Sequence, residues 1–317
     1  MAQSKEQKLW QACADGDLEA VRELANDPAV DFNWVGEDRG DTPLHRACRF
    51  GWWEIAKLLL VQEKIEVNRG NKGGASPFHI ACQEGHKEVV SLMLADPRVD
   101  PNKPQSDEGI SFFVACMRDH REVVSLLLVD PRIDPNKPWT DQGTPLWYAS
   151  QNGHRVVVQL LLASGGEIDT KRKSLIRNRT AAEQGRRQVS SPKTATETDE
   201  DHRKRKENGP KCADLIDEYE RDPVATRNRL RRQAGLREYF IGHLFALVVF
   251  HADFFAIINE KTAHSYTRRF FRITSQLPLD LQMVLCNRIF GSPKDIIPLK
   301  DSEPGFQLLT LTTTWQQ

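Results

Sequence analysis

A 34-residue internal period restricts the fold of this chain more than any other feature of its sequence. Cys48, Cys82 and Cys116 each follow an alanine and lie 34 residues apart (82 minus 48, and 116 minus 82). A unit of this length cannot bury its own apolar face, so it must stack on neighbouring copies. The period therefore predicts a repeat solenoid in which these cysteines are small buried apolar residues, neither metal ligands nor disulfide partners.

The aligned units indicate how each one folds. Residues 42–48 read Thr-Pro-Leu-His-Arg-Ala-Cys, and residues 76–82 and 144–150 begin with Ser-Pro-Phe-His and Thr-Pro-Leu-Trp. Thr or Ser can cap a helix, and Pro fits its first turn. Shortly beyond each segment stands a glycine, followed by a leucine-rich run. Each unit is therefore predicted to contain a helix, a tight turn and a second helix.

The Thr-Pro-Leu-His-x-Ala pattern resembles the signature of ankyrin repeats. The resemblance covers about residues 5–185 and implies an all-α solenoid of helix-turn-helix repeats with finger loops. Segments such as 65–68 and 99–102, an aliphatic residue before polar turn formers, suit those loops. The resemblance also implies that five histidines join adjacent repeats by hydrogen bonds and have no catalytic role, namely His45, His79, His86, His120 and His154.

We divide the chain into three regions, beginning with a repeat domain at residues 1–185. Its units lie near 5–37, 38–71, 72–105, 106–139 and 140–172, with a partial unit at 173–185. The first unit lacks the Thr-Pro pair and is interpreted as an N-terminal cap. The fourth unit has lost Thr, Pro and His, and Asp119 replaces its turn glycine. We therefore expect the weakest part of the stack there.

The other two regions follow the repeats. Residues 186–210 are polar and charged without a periodic apolar face, which predicts a disordered linker. Its basic run, Arg203–Lys206, is a candidate nuclear import signal, and Ser191 is a candidate proline-directed phosphosite. A merely solvated linker is the alternative for both. Residues 211–317 regain apolar residues at helical spacing, which predicts a helical C-terminal region.

Composition and motifs limit the classes of function. Basic and acidic residues both total 44, so we expect no nucleic-acid partner. The longest apolar stretch without charge, residues 239–252, is 14 residues long, and about 18 are needed to span a membrane. We find no metal-ligand spacing, nucleophile elbow or phosphate-binding loop, and therefore predict no enzymatic activity, cofactor or metal. Because no secretory signal is evident, we expect a cytoplasmic protein, with the nucleus as a second location if the basic run acts.

The predicted function is a protein-protein interaction module or scaffold. In the ankyrin family the first helices and finger loops line a concave face, so residues there would contact a partner protein. The candidate protein-binding residues are Trp34, Arg39, Arg46, Arg49, Phe50, Trp52, Trp53, Arg69, Lys72, Glu84, Asp107, Arg118, Trp139, Asp141 and Asn152. Tryptophan and arginine are frequent hot-spot residues. Packing between repeats is the alternative interpretation for each tryptophan.

Two further functions compete with this prediction. The segment Leu277–Leu285 is similar to the opening of an F-box, which would make the protein a ubiquitin-ligase substrate adaptor. An ordinary helix start gives the same pattern. Residues 227–258 place several arginines before an apolar segment, an order typical of membrane-peripheral anchors.

Overall fold

The computed structural model describes residues 3–104, 109–130, 132–164, 167–195 and 197–233. Within these ranges every regular element is a helix, which confirms the all-α prediction. The helices are α1 (Lys5–Asp15), α2 (Leu18–Ala25), α3 (Pro43–Phe50), α4 (Trp53–Leu60), α5 (Pro77–Glu84), α6 (Lys87–Ala95), α7 (Ser111–Met117), α8 (Arg121–Val129), α9 (Pro145–Asn152), α10 (Arg155–Ala163), α11 (Ala181–Arg187), α12 (Asp199–Arg221) and α13 (Pro223–Arg232). A 3-10 turn at Gln188–Ser190 follows α11.

The helices form two stacked layers. The first helix of each unit packs on the first helix of the next, from α1 through α3, α5, α7 and α9 to α11. The second helices, α2, α4, α6, α8 and α10, stack in the same way. Cys48, Cys82 and Cys116 are fully buried, as predicted from the period, and burial raises the pKa of their thiols.

The first helices α3, α5 and α9 begin at the residues that the sequence predicts, each with a side-chain cap followed by a proline. The hydroxyl oxygens of Thr42, Ser76 and Thr144 accept hydrogen bonds from the amides three residues later, at 3.4, 3.2 and 3.2 Å. A proline follows each of these caps. Helix α7 has neither device, because Ile110 cannot cap it and Ser111 stands in place of proline. The fourth unit therefore starts its first helix with the least local support.

The turn between the two helices of a unit needs a left-handed residue. Gly51, Gly85 and Gly153 have φ angles of 76°, 81° and 70°, a region that costs glycine nothing. Asp119 takes the same region in the fourth unit, with φ 61°. Its carboxylate pairs with Arg121 at 2.6 Å, so the substitution keeps the turn without a glycine.

Asparagines connect the segment that ends each unit with the next unit. The side-chain amides of Asn33, Asn68 and Asn102 donate to the carbonyls of residues 64, 98 and 132, at 2.8, 2.5 and 2.7 Å. The side-chain oxygen of Asn33 accepts from the amide of Glu66 at 2.8 Å. Each asparagine therefore binds main chain one repeat away, which fixes the spacing of the finger loops.

The stack ends in a helical cap, of which the sequence predicted the partial unit at 173–185 but not the first half of α12. Helix α11 packs on α9, and α12 packs against α9, α10 and α11. Residues 199–210 form the first half of α12, so the prediction of a disordered linker is wrong for this segment. The apolar face of that helix belongs mainly to residues 212–219, beyond the predicted linker. The polar half is ordered because it continues this packed helix and because Thr198 caps its start.

Arg205 fixes the polar half of α12. Its guanidinium donates to both carboxylate oxygens of Glu197 at 2.7 Å, to the side chain of Gln188 at 2.5 Å and to the carbonyl of Pro192 at 3.0 Å. These bonds lower the pKa of Glu197 to about 2. The candidate import signal is thus divided, because Arg205 is buried while Arg203 lies exposed.

The predicted helical C-terminal region is described only in part. Residues 211–221 and 223–232 are helical, in agreement with the prediction. Leu230 is fully buried, and Arg229 pairs with Glu218 at 2.6 Å. The segments 239–258 and Leu277–Leu285, on which the membrane and F-box hypotheses depend, lie outside the described residues.

Candidate protein-binding surface

Two rows of ring hydrogen bonds hold neighbouring units together and decide which side chains remain for binding. The first ring row lies on the first helices of the units. In the second ring row, each donor is the residue directly after the turn residue of its unit, and each acceptor is a carbonyl of the preceding unit. His86, His120 and His154 approach the carbonyls of Arg49, Gln83 and Met117 at 2.8, 2.7 and 2.9 Å through Nε2. Since a carbonyl only accepts, Nε2 must carry the proton.

Trp52 takes the place of the histidine in the second ring row of the first interface. Its indole Nε1 donates to the carbonyl of Ala14 at 3.3 Å. Ala14 lies two residues before the turn residue Gly16, as Arg49 lies two residues before Gly51. The Trp52 ring covers Gly16 so closely that a Cβ atom there would lie 2.7 Å from it. Inter-repeat packing therefore explains this tryptophan.

The first ring row runs along the first helices, and its bonds point to the following unit. Trp10 Nε1 donates to the carbonyl of Asp41 at 2.7 Å, His45 Nε2 to that of Ala75 at 2.9 Å, and Trp147 Nε1 to that of Arg179 at 2.9 Å. His79 and Phe113 occupy the same position in the third and fourth units without such a bond. The predicted bonding role is thus confirmed for four of the histidines and wrong for His79.

The missing bond of His79 coincides with a one-residue shift of the left-handed position in the following unit. In the other units the acceptor follows a left-handed residue, such as Gly40 before Asp41 or Gly74 before Ala75. In the third interface the period places the acceptor at Gly109, which is itself left-handed with φ 79°. Neither ring nitrogen of the buried His79 finds a partner among the described residues. Burial lowers the pKa of His79 to about 4, and that of His45 likewise to about 4.

Trp139 belongs to an aromatic cluster that replaces the ring bond between the fourth and fifth units. Its ring centroid lies 5.5 Å from that of Phe113 and 5.7 Å from that of Tyr148. Phe113 and Tyr148 meet edge to face at 4.8 Å, and Trp147 adds a further contact to Tyr148 at 4.9 Å. Such pairs stabilise by about 0.5 to 1.5 kcal/mol beyond area burial. Packing is therefore a sufficient explanation for Trp139.

In a second cluster, near the N-terminus, three predicted binding residues make contacts within the fold. Trp34 meets Trp10 edge to face at 6.3 Å, and the Arg46 guanidinium lies 3.7 Å from the centre of the Trp10 ring. Arg49 pairs with the buried carboxylate of Asp41 at 2.9 Å. Although burial alone would raise it, the pKa of Asp41 is held below its ordinary value by the Asn71 amide and the Arg49 charge.

Asp141 was predicted to contact a partner protein, and its burial shows that this is wrong. The side chain is buried, and its carboxylate accepts from the amide of Gly143 and from the hydroxyl of Ser174, each at 2.9 Å. Asp141 thus organises two finger loops and is not available to a partner. Asp107 lies outside the described residues.

The remaining candidates differ in how freely they face solvent. Arg39, Lys72, Arg118, Phe50, Trp52 and Trp53 are exposed, whereas Arg69, Glu84 and Asn152 are half-buried. Of these, Lys72 donates to the carbonyl of Asp38 at 3.1 Å, and Asn152 to that of Met117 at 3.1 Å. Sequence reasoning missed Leu175 and Ile176, which are 71% and 78% exposed on the last finger. The sequence does contain a signal for these two residues, because they are adjacent apolar residues within a polar loop.

This architecture defines a class: a helical repeat solenoid whose units are joined through ring and asparagine side chains. A family model for ankyrin repeats, described as three copies, matches residues 9–105 and 99–173. The chain therefore belongs to the ankyrin repeat family. Among solved structures, that of EF0377, an ankyrin repeat protein, is similar in fold, with a TM-score of 0.53 and 24% identity, covering 65% of this chain and 97% of that one. The comparison with curated proteins gives no match.

Proposed function

We propose that this protein is a non-catalytic scaffold that captures a partner protein on the ends of its first helices and on its finger loops. Ankyrin repeats generally mediate protein binding. In the described residues, no cluster of His, Cys, Asp or Glu could hold a metal, and no helix is long and apolar enough to cross a membrane. We further propose a cytoplasmic location.

One observation carries this proposal. The last residue before the turn is Asp15, Phe50, Glu84, Arg118 or Asn152 in successive units, whereas the turn conformation beside it is constant. Apart from the bond of Asn152 to the Met117 carbonyl and the ion pair of Glu84 with Arg49, the ring rows and the asparagines of the finger loops make the inter-repeat bonds from other positions. A position whose charge and shape change from unit to unit contributes little to the packing that all units share. It can instead select a partner.

The proposal is tested with the full chain carrying Arg39→Glu and Arg118→Glu together. Both side chains are exposed, so we expect retained folding by circular dichroism and loss of the proteins recovered by affinity purification with mass spectrometry. A matched control carries Lys57→Glu and Arg155→Glu, two exposed cations on second helices. If both variants recover the same proteins as the unmodified chain, the concave and finger surface is not the binding site.

The two alternative functions, a ubiquitin-ligase adaptor and a membrane-peripheral anchor, depend on segments after the repeats. No described residue favours the ubiquitin-ligase adaptor, because its segment lies outside the described ranges. The membrane anchor draws on Arg227 and Arg229, and both contact the fold: Arg227 donates to the Tyr219 hydroxyl at 3.1 Å and Arg229 pairs with Glu218. These contacts weaken the case for a free basic segment at that point.

A further inference from the structure

The turn of the second unit presents an unusual exposed aromatic pair. Phe50 is the last residue of α3 and Trp53 the first of α4, and each side chain is 44% exposed. Neither ring pairs with another aromatic ring in the described part of the chain. Trp52 lies between them, 41% exposed, with its Nε1 engaged by the carbonyl of Ala14.

The other units show that the frame does not require these two rings. The position of Phe50 is polar in the neighbouring units, and the position of Trp53 is taken by Lys87, Arg121 and Arg155 in the later units and by the half-buried Leu18 in the first. Since units three to five form the same turn with polar side chains at both positions, the turn itself does not require the two rings. Exposed apolar groups gathered in one place are typical of a contact surface.

Acidic residues flank Phe50 in both directions along the stack. Asp15 ends α1 and Glu84 ends α5, at the positions equivalent to Phe50. A helix C-terminus carries partial negative charge and favours cations, so acids there are unfavourable for stability. Neither α1 nor α5 has a basic residue in its last turn to offset them.

One of these two carboxylates has no ion pair, and the other shares its cation with a closer acid. Asp15 is exposed and accepts a hydrogen bond from the Gln11 amide at 2.8 Å, and it forms no ion pair within the described residues. Glu84 lies 3.8 Å from Arg49, whose guanidinium is closer to Asp41, at 2.9 Å. Both acids therefore retain negative charge that a cationic partner could neutralise.

The spacing of this row restricts the shape of the partner. Packed helices lie about 8 to 10 Å apart, so each acid is about that distance from Phe50. An extended chain in the polyproline II conformation advances about 3.1 Å per residue and brings every third side chain to the same face. A segment with an apolar side chain at its centre and a cation about three residues away on each side would reach all three positions at once.

We propose that Asp15, Phe50, Trp53 and Glu84, the turn patch, bind an extended segment of a partner protein in which an apolar residue is flanked on both sides by Lys or Arg. The proposal rests on the proposed binding function and specifies the chemistry of the partner. Phe50 and Trp53 cover the apolar side chain, and the two carboxylates pair with the flanking cations.

The experiment uses the full chain and a panel of labelled peptides Lys-x-x-Φ-x-x-Lys, with Φ as Leu or Phe and x as Ser or Ala, measured by fluorescence anisotropy. We expect binding that weakens about tenfold with Phe50→Ala and with Asp15→Lys, and that declines with added salt. Peptides with Glu in place of Lys should not bind. Val61→Ala, at an exposed apolar residue just after α4, is the matched control and should bind normally.

Two results would overturn the proposal: no peptide of the panel binds, or binding is unchanged by both patch variants while circular dichroism shows them folded. Peptide binding lost only in the Arg39→Glu and Arg118→Glu variant would place the partner on the surface around these two arginines. That outcome would reject the turn patch and leave the proposed function intact.

Discussion

At the scale of single residues, the rings of tryptophan and histidine are interchangeable wherever the fold needs only one N–H donor. Trp10, Trp52 and Trp147 each donate to a main-chain carbonyl of a neighbouring unit, as His45 and His86 do. The sequence marked only Trp52 of these three, as a candidate for partner binding, because the acceptors lie more than 30 residues away and do not appear in any local motif. Their structural role became visible only when units were compared position by position.

Trp52 and Trp53 allow a direct test of this equivalence. Trp52→Phe removes the donor and leaves the Ala14 carbonyl without its bond, so we expect a loss of about 1 kcal/mol in the free energy of unfolding. Trp52→His should retain most of the stability, because Nε2 can donate in the same place. Trp53→Phe is the control and should change stability by less than about 0.5 kcal/mol. Urea denaturation checks all three, and equal losses from Trp52→Phe and Trp53→Phe would refute the assigned bond.

His45 and His79 make stability depend on pH. Their folded-state pKa values of about 4 lie below the ordinary value of 6.5, because burial disfavours the charged ring. The unfolded chain therefore binds more protons between pH 6.5 and pH 4, so the protein is most stable above this window and loses stability as the pH falls through it. Each histidine contributes a slope of up to about 1.4 kcal/mol per pH unit.

The two histidines should respond differently to replacement. His45→Leu leaves the carbonyl of Ala75 without its ring donor and should destabilise the protein at neutral pH. His79→Leu removes a ring without a partner in the described residues and should cost less, while both variants flatten the pH dependence. Thermal unfolding between pH 4 and pH 7 measures this, and an unchanged pH slope in both variants would contradict the assigned protonation.

At the scale of elements, the repeats and the partial unit that contains α11 could be predicted from sequence, and the first half of α12 could not. The signals for α3, α5 and α9 are local, since a capping hydroxyl, a proline and a turn glycine lie within ten residues of one another. The order of α12 depends on non-local contacts: Arg205 reaches Glu197 and Gln188, and Gly209 passes against Gly185, where a Cβ atom would lie 2.7 Å from a carbonyl oxygen. A basic, glycine-containing and proline-containing segment gives no sign of such a partner.

Arg205 should be the residue on which the cap depends most. Arg205→Ala leaves Glu197 and Gln188 without their cation, and we expect a loss of about 2 kcal/mol with increased proteolysis of residues 188–221. Arg203→Ala, two residues earlier and exposed, is the control and should have little effect. Limited proteolysis followed by mass spectrometry distinguishes them. Similar cleavage patterns for both variants would mean that the guanidinium does not fix the helix.

At the scale of the whole molecule, the bonds between units are unevenly distributed. The interfaces between units one and two and between units two and three each have a bond from both ring rows. Within the described residues, the two ring rows give the interface between units three and four one bond, that of His120, beside the bonds that Asn102 and Arg132 make there. The next interface has the bond of His154 and the aromatic cluster around Phe113. The sequence predicted weakness in the fourth unit from its lost motif residues, and the missing bond of His79 gives a physical reason for it.

Helix α7 should accordingly open more easily than α3. The two helices hold equivalent positions, but α7 lacks a capping side chain, a first-turn proline and a ring bond to the following unit. We expect its amides to exchange with deuterium faster than those of α3 by at least about tenfold, which corresponds to 1.4 kcal/mol of local opening energy. Hydrogen exchange measured by mass spectrometry on the intact chain tests this. Equal protection of the two helices would show that the aromatic cluster compensates fully.

The direction of the ring bonds has a mechanical consequence. The first row ties each unit forward to the following one, and the second ties it backward to the preceding one, so a complete interface resists both tilting and sliding. Among the described residues, the ring rows give the interface beyond the third unit only the backward bond. We therefore expect bending stiffness to be lower there than at the first two interfaces, with the stack bending as two stiffer arms about a compliant joint. A partner that spans the joint can change the curvature of the protein without breaking a helix.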